Sequence, residues 1–241
     1  MQWAVLGLVI FGLILTYIIF QETRAHHYWR GLVQKGDVAA IRALLEQEIA
    51  RWKTMRVPRG TAPTLWHGVQ TADLLAVGAR EAQLACTAEG EYRIAAGQSQ
   101  ELLSPFEAGM RLAAKLIELV MYDIPNLRLS LVRVDVYSTF RAATGAPQQR
   151  CILSVTADRP EADDIEWEAL RPNEIIGRFE NRYHLNDFGV AEPIDPGPPL
   201  EGTTPVADIP APADPDEGRY TPAHGNGRVV TGPNAESPVD D

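Results

Sequence analysis

The chain has 241 residues, a formal net charge of −10 and only two cysteines. Its lysines are limited to Lys35, Lys53 and Lys115, so we expect no nucleic-acid partner, because binding of phosphates needs a clustered cationic face. Cys86 and Cys151 give no metal-binding spacing and no disulfide framework, and we expect both to be small buried residues.

An uncharged apolar run opens the chain. Trp3–Phe20 is 18 residues long and carries no charged side chain. As a helix it measures about 27 Å, close to the ~30 Å thickness of a hydrocarbon core. No basic residue precedes the run and no small-x-small cleavage site follows it, as a signal peptide would require. We therefore predict an uncleaved transmembrane anchor over residues 1–20, with the lipid bilayer as a partner.

The basic residues around this run predict its orientation. None precedes it, whereas Arg24, Arg30, Lys35 and Arg42 follow it, and positively charged flanks stay in the cytoplasm. The prediction is a single-pass protein of the cell (plasma) membrane, N-out and C-in. Residues 21–36 are then a juxtamembrane linker or helix, and the bulk of the chain is a cytoplasmic domain.

Residues 37–190 are expected to form one α+β domain with its own core. Asp37 suits the N-cap of an amphipathic helix. Ser104 and Glu107 form a capping box that starts a very apolar helix running to about Tyr122. Weaker patterns predict a short helix within 64–77 that carries Trp66, Val69 and Leu74, and a final helix over 171–183 with Tyr183 on its apolar face.

Alternating residues predict the strands. Residues 82–94 favour a weak hairpin that turns at Glu89–Gly90, and residues 127–140 and 151–158 favour an antiparallel pair. An edge strand is expected within residues 184–194, before the tail. This order of elements is compatible with a small antiparallel sheet with packed helices in a ferredoxin-like arrangement. A cone-shaped, NTF2-like arrangement is the alternative.

The strand over residues 127–140 changes its apolar face halfway along. Leucines occupy one face first, and valines then occupy the other; they are Leu127, Leu129, Leu131, Val132, Val134 and Val136. A β-bulge at Leu131–Val132 inserts one extra residue and would keep both sets against the core.

The polar residues that alternate with these valines are the candidate binding site. Arg133, Asp135 and Tyr137 are expected to face outward, near Ser154 and Thr156 of the partner strand. A polar sheet face of this kind can bind a ligand or a partner protein. The plainer interpretation is a solvated face with a cross-strand charge pair.

No short motif indicates a reaction. The chain contains no GxSxG elbow, phosphate-binding loop, HExxH or paired CxxC, and its five histidines are scattered. We therefore predict no catalytic residue, no metal ligand and no cofactor. Residues 191–241 hold 11 of the 18 prolines and 10 acidic against 2 basic side chains, which predicts a disordered acidic tail.

Three functions are consistent with these predictions. The first is a non-catalytic accessory or scaffold protein whose cytoplasmic domain binds a protein partner in a membrane assembly. The second is a membrane-tethered enzyme, of hydrolase type, whose site is assembled from scattered residues. The third is a small-ligand carrier with an NTF2-like cavity. A deep cleft with converging His, Asp or Ser would favour the enzyme, and an apolar cavity beside the 104–122 helix would favour the carrier.

Overall fold

The computed structural model describes residues 31–95, 98–141 and 145–210. The predicted anchor, most of the juxtamembrane linker and residues 211–241 of the predicted tail lie outside these ranges and stay predictions. Within the described residues, no helix is both long and apolar enough to cross a membrane.

Two predicted helix starts are confirmed. The Asp37 carboxylate accepts a hydrogen bond from Ala40 N at 2.9 Å, and Ser104 with Glu107 makes both bonds of a capping box. The helices are α1 (Val38–Thr54), α2 (Pro63–Gln70), α3 (Pro105–Glu118), α4 (Arg159–Asp163) and α5 (Pro172–Ile176). The last turn of the predicted 104–122 helix is a π-helical stretch, Leu119–Asp123, that continues α3.

The strands form one large sheet and one separate hairpin. They are β1 (Asp73–Val77), β2 (Glu81–Thr87), β3 (Glu91–Ala95), β4 (Gln98–Leu103), β5 (Leu131–Arg141), β6 (Pro147–Asp158), β7 (Glu180–Leu185), β8 (Ala191–Glu192) and β9 (Thr204–Pro205). The large sheet has the order β8-β7-β6-β5-β2-β1-β9, and β3 pairs only with β4.

The α+β class is confirmed, but the prediction of an antiparallel sheet is wrong. Strands β2 and β5 pair in parallel, from Glu81 opposite Leu131 to Thr87 opposite Tyr137. A parallel pair needs a crossover connection rather than a tight turn, and α3 supplies it. The sheet is therefore mixed.

The core fills the space between one face of the sheet and the helices. Val134 on β5, Leu116 on α3 and Trp52 on α1 are at most 1% exposed. The approach of α3 to the sheet is close, since a Cβ added at Gly109 would lie 3.2 Å from Val136 Cγ1. This face matches the predicted valine face of β5.

Three weakly patterned segments differ from their predictions. The helix expected within 64–77 ends at Gln70, and Leu74 lies in β1. The segment 82–94 is not a hairpin, because β2 pairs with β1 and β5. The helix expected over 171–183 stops at Ile176, and Tyr183 lies in β7. In each case pairing with another strand overrides a weak local pattern: β1 pairs with β2, β2 with β5 and β7 with β6.

The predicted bulge lies elsewhere. Leu127 and Leu129 are buried in the loop before β5, so the strand itself carries no change of face at Leu131. The pairing of β5 with β6 shifts instead at Val136, and the extra residue is Ile152 on β6. An irregular loop, rather than a bulge, buries the leucines.

Residues 191–210 are folded onto the sheet, so the prediction of a disordered tail is wrong for this part. Strand β8 pairs with β7 at one edge of the sheet, and β9 pairs with β1 at the opposite edge. Residues 193–203, which we call the strap, run between these edges across the face opposite the core. Prolines do not prevent this, because their carbonyl groups still accept hydrogen bonds.

The end of the strap packs closely against the β1–β2 turn. A Cβ added at Gly78 would lie only 2.5 Å from Gly202 O, a backbone atom. Gly202 has φ +80°, a conformation that favours glycine. Glycine is therefore needed at both positions for β9 to reach β1.

We expect Gly78→Ala to lower the free energy of unfolding by about 1–3 kcal/mol, the usual cost of forcing extra atoms into a packed site. The measurement is thermal unfolding of the full chain in mild detergent. Gly31→Ala is the matched control, because a Cβ there meets no atom of the described residues within 4 Å, and it should change stability by less than ~0.5 kcal/mol. Equal unfolding of the two variants would show that the strap end is not packed.

Candidate functional site

The five predicted binding residues lie on one face of the sheet, beneath the strap. Arg133, Asp135 and Ser154 are only 3%, 0% and 2% exposed, while Tyr137 and Thr156 are half-buried. The expectation of an outward, solvated face is therefore wrong for the first three. Their burial follows from the strap, which the sequence interpretation left in the disordered tail.

The Asp135 carboxylate is the centre of a buried hydrogen-bond cluster. Its Oδ1 accepts from Arg133 Nε at 3.0 Å and from Ser154 Oγ at 2.6 Å. Its Oδ2 accepts from Gln83 Nε2 at 2.8 Å. Arg133 Nη1 donates in turn to Pro198 O of the strap at 2.8 Å. We call Gln83, Arg133, Asp135 and Ser154 the polar cluster.

The geometry favours a structural role for the polar cluster. Each charge has an opposite partner and further hydrogen bonds, as a buried ion pair needs. Gln83 Oε1 and Arg133 Nη2 are buried without a hydrogen-bond partner among the described residues. A partner protein meets the strap before it meets these groups. The assignment of the five residues as a binding site stays a prediction.

The two thiols are buried and held in their neutral form. Burial, aided by the nearby Asp135 charge, raises the pKa of the Cys151 thiol to about 11. The same two causes raise the pKa of the Cys86 thiol further. A nucleophilic cysteine needs a lowered pKa, so neither thiol suits that chemistry. Both cysteines are free and buried, as predicted.

A cleft of about 390 Å³ opens between α2, α3 and the chain that enters and leaves the β3–β4 hairpin. Its volume is at the lower end of the range for small-molecule sites. The apolar part of its lining comprises Ala62, Leu65, Ala88, Leu103, Ala108 and Leu112. The α2–α3 contact behind it is tight, because a Cβ at Gly68 would lie 2.8 Å from Leu112 Cδ2.

Polar side chains around the cleft include His67, Arg111 and Glu89. His67 Nδ1 lies 3.1 Å from the Gln70 amide oxygen, so its close partner is an amide rather than a carboxylate. Within residues 31–95, 98–141 and 145–210, no three His, Cys, Asp or Glu side chains lie close enough together to hold a metal ion.

The β3–β4 hairpin displays apolar side chains to solvent. Tyr92 is 59%, Ile94 81% and Leu102 57% exposed. Tyr92 and Ile94 are two residues apart on β3 and therefore share a face. Leu102 is the extra residue at a bulge of β4 opposite Glu91 and Tyr92. An isolated two-stranded sheet is marginally stable in water, so these exposed side chains are candidates for burial by another molecule.

The base of the hairpin is fixed against the cleft. Thr64 Oγ1 on α2 donates to the Glu91 carboxylate on β3. A Cβ at Gly90 would lie 3.0 Å from Leu103 O, so the segments that enter and leave the hairpin are close together. Gly90, Glu91 and Leu103 also line the cleft. The cleft therefore adjoins the base of the hairpin, and we call the exposed side chains of the hairpin and the cleft together the hairpin surface.

Sequence reasoning missed this surface because it assigned residues 82–94 to one hairpin. The available signal was the alternation of Tyr92 and Ile94 with Arg93, followed four residues later by the strand-like Gln98–Leu103. Short polar strands give only a weak alternation of apolar and polar residues. The pairing of β3 with β4 depends on the sequences of both strands, so neither strand alone indicates it.

No protein family, curated protein or solved structure matches this chain. Function is therefore inferred from the residues and geometry of the chain itself.

Asp135→Val should lower the free energy of unfolding by about 3–5 kcal/mol, because it leaves the Arg133 guanidinium buried without its counter-charge. Denaturant unfolding in mild detergent measures the change. Asp73→Val is the control, since its ion pair with Lys53 is exposed and such pairs contribute at most about 1 kcal/mol. Similar losses in the two variants would mean that Asp135 is solvated after all.

Proposed function

We propose that this chain is a single-pass, membrane-anchored, non-catalytic accessory protein whose α+β domain binds a protein partner at the cytoplasmic face of the plasma membrane. The hairpin surface is the proposed binding site. The observation that supports it best is the exposure of Tyr92, Ile94 and Leu102 on a two-stranded hairpin.

Covering these side chains supplies the binding free energy. Full burial of one isoleucine side chain contributes roughly 1.5–3 kcal/mol, and tyrosines are frequent energetic centres of interfaces. Because Tyr92 and Ile94 share a face, one apolar groove on the partner can cover both. The adjoining cleft is large enough to receive a further side chain from the partner.

The predicted anchor makes a membrane-resident partner the natural one. A short linker such as residues 21–36 holds the domain close to the bilayer. Tethering of this kind raises the effective concentration of a partner in the same membrane to the mM range. It offers little advantage for a substrate that diffuses in the cytoplasm.

The tethered-enzyme alternative receives less support from the same residues. The two thiols have raised pKa values, and the partner of His67 is the Gln70 amide. An amide oxygen can orient an imidazole, but it carries no negative charge and stabilises an imidazolium less than the carboxylate of a triad does.

A small-ligand carrier is the second candidate, and the cleft favours it. Of the two predicted arrangements, the ferredoxin-like one contains a split βαβ unit, whereas β2 and β5 are direct neighbours. This favours the NTF2-like alternative, in which a cavity between helices and sheet holds the ligand. The cleft contacts α3 through Ala108 and Leu112, as that arrangement requires.

The carrier hypothesis predicts that a bulky residue in the cleft excludes the ligand. Denaturing the purified chain should release any bound small molecule, which mass spectrometry of the extract detects. The extract of Ala108→Trp should lack that molecule. Ala169→Trp, at an exposed position, should retain it. A wild-type extract without a stoichiometric small molecule would contradict the carrier function.

The accessory function predicts that Ile94→Asp weakens partner binding by at least tenfold, because it removes apolar burial of more than about 1.4 kcal/mol, the equivalent of a factor of ten. Wild-type chain in mild detergent should elute well above the size of a monomer with its micelle, and Ile94→Asp should elute at that size. A photo-crosslinking residue in place of Ile94 should give one discrete adduct in membranes.

Phe188 provides the matched control. It is 90% exposed but lies in the β7–β8 turn rather than on the hairpin surface. Phe188→Asp should leave the elution size unchanged, and a crosslinker at Phe188 should give no adduct of that mass. A monomeric wild-type profile, or equal effects of the two substitutions, would contradict the proposal.

A further inference from the structure

An open groove of about 1020 Å³ lies where the chain enters the folded domain. It is lined mainly by residues 33–36, residues 79–80, residues 121–122, residues 124–128 and Arg159. These contribute four basic side chains, Lys35, Arg80, Arg128 and Arg159, and no acidic one. We call it the basic groove.

Backbone contacts hold the segments of the basic groove together. Gly36, with φ +77°, packs against Ala79 so closely that an added Cβ would lie 3.2 Å from the Ala79 Cβ. Ser130 N donates to Arg80 O at 2.7 Å. The Arg159 guanidinium donates to the backbone oxygens of Met121 and Leu129. The groove is therefore a preformed frame, and Arg159 belongs to that frame.

The other three basic side chains remain available for a ligand. Lys35, Arg80 and Arg128 are exposed, and within the described part of the chain none of them has an ion-pair partner.

Neighbouring carboxylates of the described residues form no ion pair with these three cations. Asp123, which lies in the same segment as Arg128 but does not line the groove, pairs with no described residue. Asp37 accepts from Ala40 N, and Asp163 accepts from the Tyr122 hydroxyl. Three unneutralised cations thus converge on one groove of a chain whose net charge is −10, and such a concave site concentrates anions.

We propose that the basic groove binds the phosphate groups of anionic phospholipids in the membrane to which the chain is anchored. This inference rests on the anchor of the proposed function. Residue 33 lies 13 residues after Phe20, a separation of about 20 Å if helical. A linker of that length lets the groove contact the headgroup layer, where the negative surface potential attracts basic residues.

The small number of lysines allows a direct test. Full-length chain is incorporated into nanodiscs of phosphatidylcholine alone or with phosphatidylglycerol, and lysine acetylation by an amine-reactive reagent is followed by mass spectrometry. Lys35 reports on the basic groove. Lys53 and Lys115, which pair with Asp73 and Glu118, are internal controls in the same molecule.

We expect anionic lipid to slow the modification of Lys35 by at least about fivefold, the effect of one basic residue at an anionic surface, and to leave Lys53 and Lys115 unchanged. High salt should abolish the protection, because the contacts are screened. The double variant Arg80→Gln with Arg128→Gln should lose the protection. Arg56→Gln with Arg59→Gln, which removes the same charge from an exposed loop, should keep it.

Other outcomes overturn the inference. Equal protection of Lys35 in neutral and anionic nanodiscs would mean that the bilayer shields Lys35 by being close to it, without binding of anionic headgroups by the groove. Protection by inorganic phosphate in neutral nanodiscs would mean a site for soluble anions. The crosslink expected at position 94 does not depend on lipid charge. If it forms but anionic lipid does not protect Lys35, the lipid-binding inference is rejected and the proposed function stands. Failure of the chain to enter neutral nanodiscs rejects the anchor and with it both proposals.

Discussion

The buried ion pair between Arg133 and Asp135 constrains the face of the sheet that lies opposite the core, beneath the strap. Removing such charges from water costs several kcal/mol for each ion, and the hydrogen bonds around the pair offset that cost in part. Gln83 must come from β2, Ser154 from β6 and the Pro198 carbonyl from the strap. The order β6-β5-β2, the parallel register of β2 with β5 and the path of residues 193–203 are therefore linked through one carboxylate and one guanidinium.

Sequence patterns predicted the local features well and the long-range ones poorly. The caps at Asp37 and Ser104 depend on residues three positions apart, and the valine face of β5 depends on alternation, so both were readable. The parallel pairing of β5 with β2 could not be predicted, because neither residues 81–87 nor residues 131–137 alone contain a pattern that identifies the other. The same limit hid Gln83, whose partner is 52 positions away.

The candidate site shows the same division. Alternation placed Arg133, Asp135 and Ser154 on one face correctly, but their burial depends on a segment that composition alone assigned to a disordered tail. Composition measures how much apolar area a segment can bury. It does not register that a proline-rich strap can fold by accepting hydrogen bonds, as Pro196 and Pro198 do from Arg182 and Arg133.

The path of the strap also has a consequence during biosynthesis. The guanidinium of Arg42, on the first helix of the domain, donates to the backbone oxygen of Ile209, so the beginning and the end of the fold meet. Contacts between such distant residues slow folding. On the ribosome, β1 keeps an open edge until residues 204–205 have been synthesised. The predicted anchor has then already left the ribosome, while one edge of β1 is still unpaired. Mispairing and chaperone binding are therefore expected mainly at this stage.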